Sequence, residues 1–207
     1  LYLGWMSNWE YANVVPTTKW RSAMTLAREL ELVENQNGFR LRSKAPSEWE
    51  AYTSKVLEKE SISAENETLL VEKGLVDLSA AQVSLNLVDL NNKKYTFQLE
   101  NTLGEVLSFG IDQEKNQFFI DRSKSGETNF SETFSIKPSI APRTAKSKAL
   151  DIQFILDKMS LEVFYDKGET VMTEIFFSQA PFETLRLNTT GNSIKIEDLQ
   201  ILELSKN

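Results

Sequence analysis

From Gln82 onward the chain alternates apolar and polar residues in short runs. These are "QVSLNLVDL", "KYTFQLE", "EVLSFGID", "NQFFIDR", "LDIQFILD", "MSLEVFYD", "TVMTEIFF", "ETLRLN" and "SIKIEDLQILEL". Alternation puts successive side chains on opposite faces of a strand. Between the runs stand "NNKK", "NTLG", "QEKN", "KSGE", "DKGE" and "NTTGN", whose Gly, Asn and Asp residues suit tight turns. Many short strands with no helix-length periodic segment predict an antiparallel sandwich or barrel. Two Phe pairs, 118–119 and 176–177, break the alternation. One ring of each pair must face away from its own sheet's core. It is buried against a neighbouring domain or at a sheet end, or it forms an outward row able to stack on sugars.

The first quarter reads differently. It holds all four tryptophans, Trp5, Trp9, Trp20 and Trp49. "LYLGWM" reads as a strand, and "TLARELEL" favours a strand over a helix because no N-cap precedes it. "NQNG" at 35–38 with "FRLRS" after it predicts a hairpin. In "APSEWEAY", Ser47 followed three residues on by Glu50 has the capping-box spacing, so a short helix is expected there. The chain therefore divides into 1–44, a linker with a short helix at 45–54, and a β-sandwich over 55–207.

Charge and composition narrow the chemistry. The net charge is −7 and the basic residues are interspersed, which argues against a nucleic-acid partner. With neither cysteine nor histidine, there is no thiolate zinc site, cysteine nucleophile or Ser-His-Asp triad; no metal and no cofactor are expected. No apolar run is long enough to span a membrane. The chain opens at Leu1 directly on a strand-like run, which reads as a cut start without a signal peptide. Carboxylates are then the candidates for acid–base work, as in glycosidases. Glu10 and Glu162 lie beside aromatics, although solvated strand or loop acids are the simpler reading of both. Asn-x-Ser/Thr patterns at Asn66, Asn129 and Asn188 carry no assigned role, and no phosphate-binding glycine loop occurs.

Several stretches resemble one family. "GWMSNWEYANVVPTTKWRSAMTLARELEL" resembles the last blade of the β-propeller of glycoside hydrolase family 32, the fructan hydrolases and invertases. "DRSKSGETNF" at 121–130, "APR" at 141–143 and "LDKMSLEVFYDKGETVMTEIFF" at 156–177 resemble that family's C-terminal β-sandwich, in the same order. Ala27 departs from the family's usual proline there. The resemblance implies an all-β chain: remnant propeller strands over 1–44, a linker, and a two-sheet antiparallel β-sandwich.

It further implies a parent enzyme that cleaves fructosyl units from levan, inulin or sucrose with retention and without a metal. The family's three catalytic motifs are Asn-Asp-Pro-Asn-Gly, Arg-Asp-Pro and Glu-Cys. None is present: the prolines follow Val15, Ala45, Lys137, Ala141 and Ala180, and there is no cysteine. The chain is therefore expected to lack catalytic residues and to need the missing N-terminal blades. By resemblance Trp9 lines the fructose pocket, with Asn8, Glu10 and Tyr11 beside it, while Trp5 and Trp20 are expected to pack in the blade. An indole offers a flat face for sugar C–H groups and one N–H donor. Family custom suggests a secreted, periplasmic or cell-surface protein. A carbohydrate-binding module using outward aromatics is the alternative, and a homo-oligomer contact through the sandwich is a third reading.

Overall fold

The structure, a computed structural model, describes residues 1–35 and 38–204. Its strands are β1 (Glu29–Asn35), β2 (Gly38–Lys44), β3 (Thr53–Ala64), β4 (Glu67–Val71), β5 (Ala81–Val88), β6 (Lys94–Glu100) and β7 (Val106–Asp112). There follow β8 (Gln117–Lys124), β9 (Ser139–Pro142), β10 (Leu150–Asp157), β11 (Ser160–Tyr165), β12 (Thr170–Ile175), β13 (Thr184–Thr189) and β14 (Ile194–Leu204). Two six-stranded antiparallel sheets form the sandwich. Sheet I has the order β12-β11-β10-β5-β14-β3, and sheet II the order β4-β13-β6-β7-β8-β9.

The alternating runs supply the core. In β6, Tyr95, Phe97 and Leu99 are buried while Thr96, Gln98 and Glu100 are partly exposed. The two sheets meet through rings: Phe109 of sheet II packs edge-on against Phe154 of sheet I at 5.0 Å, and Phe118 stacks on Tyr165 at 3.9 Å. Tyr165 is fully buried, and burial pushes its phenol far above the ordinary value. The nine quoted runs all coincide with strands. The unanticipated β3, β4 and β9 are all sheet edges. β3, "TSKVLEKESISA", is mostly exposed and carries Lys55, Glu58, Lys59 and Glu60, as an edge guarded against foreign strand pairing should. Its surroundings give it too little burial for alternation to show.

The first quarter departs further from expectation. "LYLGWM" makes only isolated bridges, Tyr2 to Arg28 and Trp5 to Met24, rather than a strand. Strands β1 and β2 do form the hairpin; the expected turn residues Gln36 and Asn37 lie outside the described residues. The short helix is a 3-10 helix over Ser47–Tyr52 capped by Pro46. Ser47 lies inside it and turns its Oγ to Glu48 at 3.4 Å, so the capping box does not form. Trp49 pins this linker to sheet I by donating its indole N–H to Gln82 at 2.8 Å.

The hairpin has one apolar face. Leu32 pairs with Leu41, and Leu30 and Phe39 lie on the same side of the ladder. All four are 48–65% exposed. The opposite side carries Arg42, which reaches Glu169 of the sandwich at 3.2 Å. Gly168 closes the contact. Its φ of 85°, and the 1.8 Å that would separate an added Cβ from the Ser43 carbonyl oxygen, admit only glycine.

Candidate functional site

Residues 1–28 run across the end of sheet I, and three buried arginine–carboxylate pairs hold the assembly. The first is Arg28. Its guanidinium donates to Glu162 at 2.5 Å and to Thr173 at 2.7 Å, and lies 5.2 Å from the Phe164 ring. Glu162 also accepts the Leu26 backbone N–H at 2.8 Å. Glu162 is 3% exposed, so it is not the solvated acid expected, nor is it free for acid–base chemistry. It lies on the outward face of β11 and becomes buried only because residues 26–28 cover it.

The second pair explains "DRSKSG". Arg122 meets Glu174 at 2.6 Å and donates to the carbonyls of Phe134 and Ile175, each at 2.9 Å. Its guanidinium also lies 3.8 Å from the Phe134 ring and 5.3 Å from that of Tyr11. Ser139 hydrogen-bonds Glu174 from the other side. The third pair explains "APR": Arg143 grips Asp166 through two bonds of 2.9 Å and donates to the Ala149 carbonyl at 2.8 Å. These motif residues are structural clamps. Hydrophobic patterning gives arginines no weight, so their partners were not foreseen. In the structure β11, "SLEVFY", is buried at nearly every position, on both faces.

The expected substrate residues divide. Asn8 turns the chain: its Oδ1 accepts the Glu10 N–H at 2.9 Å and its carbonyl accepts those of Tyr11 and Ala12. That turn presents Asn8, Trp9 and Glu10 to solvent together, with Trp9 84% exposed and its ring 5.1 Å from that of Trp5. Tyr11 points the other way. Its buried ring packs edge-on against Phe134 at 5.0 Å, in a cluster with Met6, Val15, Ile175 and Phe177. Trp5 is half-buried and Trp20 is 39% exposed, so neither sits in a closed core here. A cleft of about 620 Å³ between this segment and the sandwich is lined by Asn8, Glu10, Tyr11, Arg122 and Glu174.

The outward phenylalanines are also placed. Phe177 is buried against Met6, Tyr11 and Val15 of the N-terminal segment. Phe119 lies on the outer face of sheet II, 7% exposed beneath Lys94, whose ammonium is 4.4 Å from the ring. The strongly exposed aromatics, Tyr2, Trp9, Trp20, Phe39 and Tyr52, all precede the sandwich strands, so no exposed aromatic row lies on either sheet among the described residues. Nor does any group of three or more acidic side chains that could hold a metal occur among them.

A β-sandwich clamped by buried arginines to an open, tryptophan-rich segment defines the class of all-β protein at hand. Comparison then gives the family. The family model described as "Glycosyl hydrolases family 32 C terminal" matches residues 48–203, and that of the family 32 N-terminal domain matches 1–44. The chain belongs to glycosyl hydrolase family 32. It is 31% identical to the levanase of Bacillus subtilis (strain 168) over 209 aligned residues, covering 100% of this chain and 31% of the levanase. It is 31% identical to the extracellular exo-inulinase of Aspergillus niger, covering 97% of this chain and 37% of that protein. The crystal structure of the exo-inulinase from Aspergillus awamori superposes with a TM-score of 0.81 at 26% identity, covering 99% of this chain and 40% of that one. The chain thus spans about a third of the length of these curated relatives.

Proposed function

We propose that this chain is the C-terminal part of a secreted fructan-hydrolysing glycosidase: residues 1–44 end its propeller, 45–54 link, and 55–207 form the sandwich. The observation that carries this is the hairpin's exposed apolar face, Leu30, Leu32, Phe39 and Leu41, on the segment matched by the family's N-terminal domain. A two-stranded hairpin is marginal alone, and an apolar face of this kind marks a contact surface. The preceding propeller blades are its occupant.

In that reading the sandwich is a buttress. Arg28, which bonds Glu162 and bridges to Tyr2 through its backbone, and Arg122, which pairs with Glu174 and lies against Tyr11, hold the segment that carries the Asn8–Glu10 turn, and the turn offers Trp9 to a pocket completed by the missing blades. Those blades would supply the catalytic carboxylates. The relatives' names, levanase and exo-inulinase, supply the substrate class, and "extracellular" in the latter supports secretion.

The test is direct. The purified 207-residue chain is expected to release no fructose from levan, inulin or sucrose, whereas the chain extended upstream of Leu1 to the full family length should release it. Fructose release by the 207-residue chain alone would overturn the proposal, as would an inactive extended chain that is folded.

A further inference from the structure

We propose that the outer face of sheet II binds a β-fructan chain through polar side chains, at a site separate from the Trp9 turn. The inference rests on the fructan reading above. It starts from register. On this face Gln98, Ser108 and Asp121 lie side by side across β6, β7 and β8. The next row is Thr96, Gly110, Phe119 and Ile140. The third is Lys94, Asp112 and Gln117. All of these but Gly110 line a groove of about 700 Å³, within the size range of ligand sites.

At the centre of the face Gly110 is buried and brings no side chain to the groove. Gly110 has φ 153°, and an added Cβ would lie 2.0 Å from the Tyr95 carbonyl oxygen. Its cross-strand neighbour Phe119 is the one aromatic in the groove lining. Lys94 caps that ring, yet Lys94 is itself exposed on a flexible stem, so a ligand can displace the cap.

Around Phe119 the lining both donates and accepts. Asn188 donates to Gln98 at 2.5 Å and Gln98 donates to Ser108 at 3.4 Å, a ladder that fixes three side chains before any ligand arrives. Sugar hydroxyls also donate and accept, so they match amides, hydroxyls and carboxylates together. Asp112 and Asp121 are interspersed with Lys94, Lys115 and Lys124, so no single sign of charge prevails and an ionic ligand is not selected. One aromatic ring surrounded by mixed polar groups fits a neutral polyhydroxyl chain better than a protein or nucleic acid. The mostly rigid sheet beneath lowers the ordering cost on binding.

The experiment is chemical-shift mapping of the 15N-labelled chain titrated with short inulin and levan oligosaccharides, with maltooligosaccharides as control. Shifts are expected in β6, β7 and β8, with maltooligosaccharides causing none. Gln117→Ala and Asp121→Asn, both on partly exposed positions, should each weaken binding about tenfold. The unligated spectrum of each variant checks its fold. Absence of shifts, shifts confined to residues 4–11, equal response to maltooligosaccharides, or unchanged affinity in both folded variants would each overturn the site. None of these outcomes touches fructose release by the extended chain, so this proposal and the one it rests on fail separately.

Discussion

Two phenylalanines on the outside of this sandwich sit under cations, and the difference between them describes the molecule. Phe164, on sheet I, lies beneath Arg28. Phe119, on sheet II, lies beneath Lys94. Both contacts fall within cation–π range. Arg28, however, is 6% exposed and tied to Glu162, Thr173 and the backbone of its own segment, which bridges to Tyr2. Lys94 is exposed. The first cap is part of a closed interface built by residues distant in sequence. The second is a movable side chain over an open face. Equivalent-looking rings thus mark a seam on one sheet and an accessible groove on the other.

Breaking the two caps is expected to give the largest contrast. Glu162→Ala leaves the Arg28 guanidinium buried without its carboxylate, which typically costs about 3–5 kcal/mol. Lys94→Ala removes an exposed side chain and should change stability by no more than about 0.5 kcal/mol. Urea unfolding of both variants measures the contrast. Residues 1–28 should also become protease-sensitive in Glu162→Ala alone. Similar losses in the two variants would erase the distinction between a seam and an open face.

A smaller effect, confined to the closed side, is expected at Gly168. Alanine there meets the Ser43 carbonyl and must adopt a positive φ, a strain of about 1–3 kcal/mol. The hairpin can relieve it by lifting off the sandwich. Hydrogen exchange should then lose protection in β1 and β2 while β6 and β7 keep theirs. Uniform loss across both sheets would show that the hairpin is no separate unit.

The same contrast explains what could be read from the sequence. Strands such as β6, with one face in the core and one in water, alternate cleanly and were legible. Strand β11 was legible as a strand, but what covers its outer face was not. The partner of Glu162 is Arg28, 134 residues away, and no local pattern links them. Edge strand β3 was missed because its polar composition serves its position rather than its pairing. Of the expected substrate residues, Asn8, Trp9 and Glu10 share one exposed turn, while Tyr11, next in sequence, is claimed by Phe134 and Arg122. A turn reverses direction within one residue, and the quoted motif carries no sign of it. The polar groove on sheet II escaped for a related reason: its residues come from separate runs and meet only through cross-strand register.

A milder effect on the closed side is expected at Asp151, on β10 in the seam between sheet I and the hairpin. Burial pushes its carboxyl above the ordinary value of 3.8 and Asp166 adds to this, while the Lys167 backbone N–H, the Lys167 side chain and Arg42 oppose it. A carboxyl raised on folding favours the native state when protonated. That stabilisation is fully present below pH 3.8 and is lost as pH rises through the folded value. At neutral pH the native state therefore carries a charge it holds less well than the unfolded chain does. Asp151→Asn should relieve it while keeping a side-chain oxygen for the Lys167 N–H, now at 3.1 Å. The expected gain at pH 7 is under about 1 kcal/mol because the site is partly solvated, and it should shrink as pH falls toward 3.8. Thermal unfolding of both proteins across that window measures it. A variant less stable than the parent at pH 7 would mean that the attraction of Arg42 and Lys167 outweighs burial, and that the seam there is wetter than its geometry indicates.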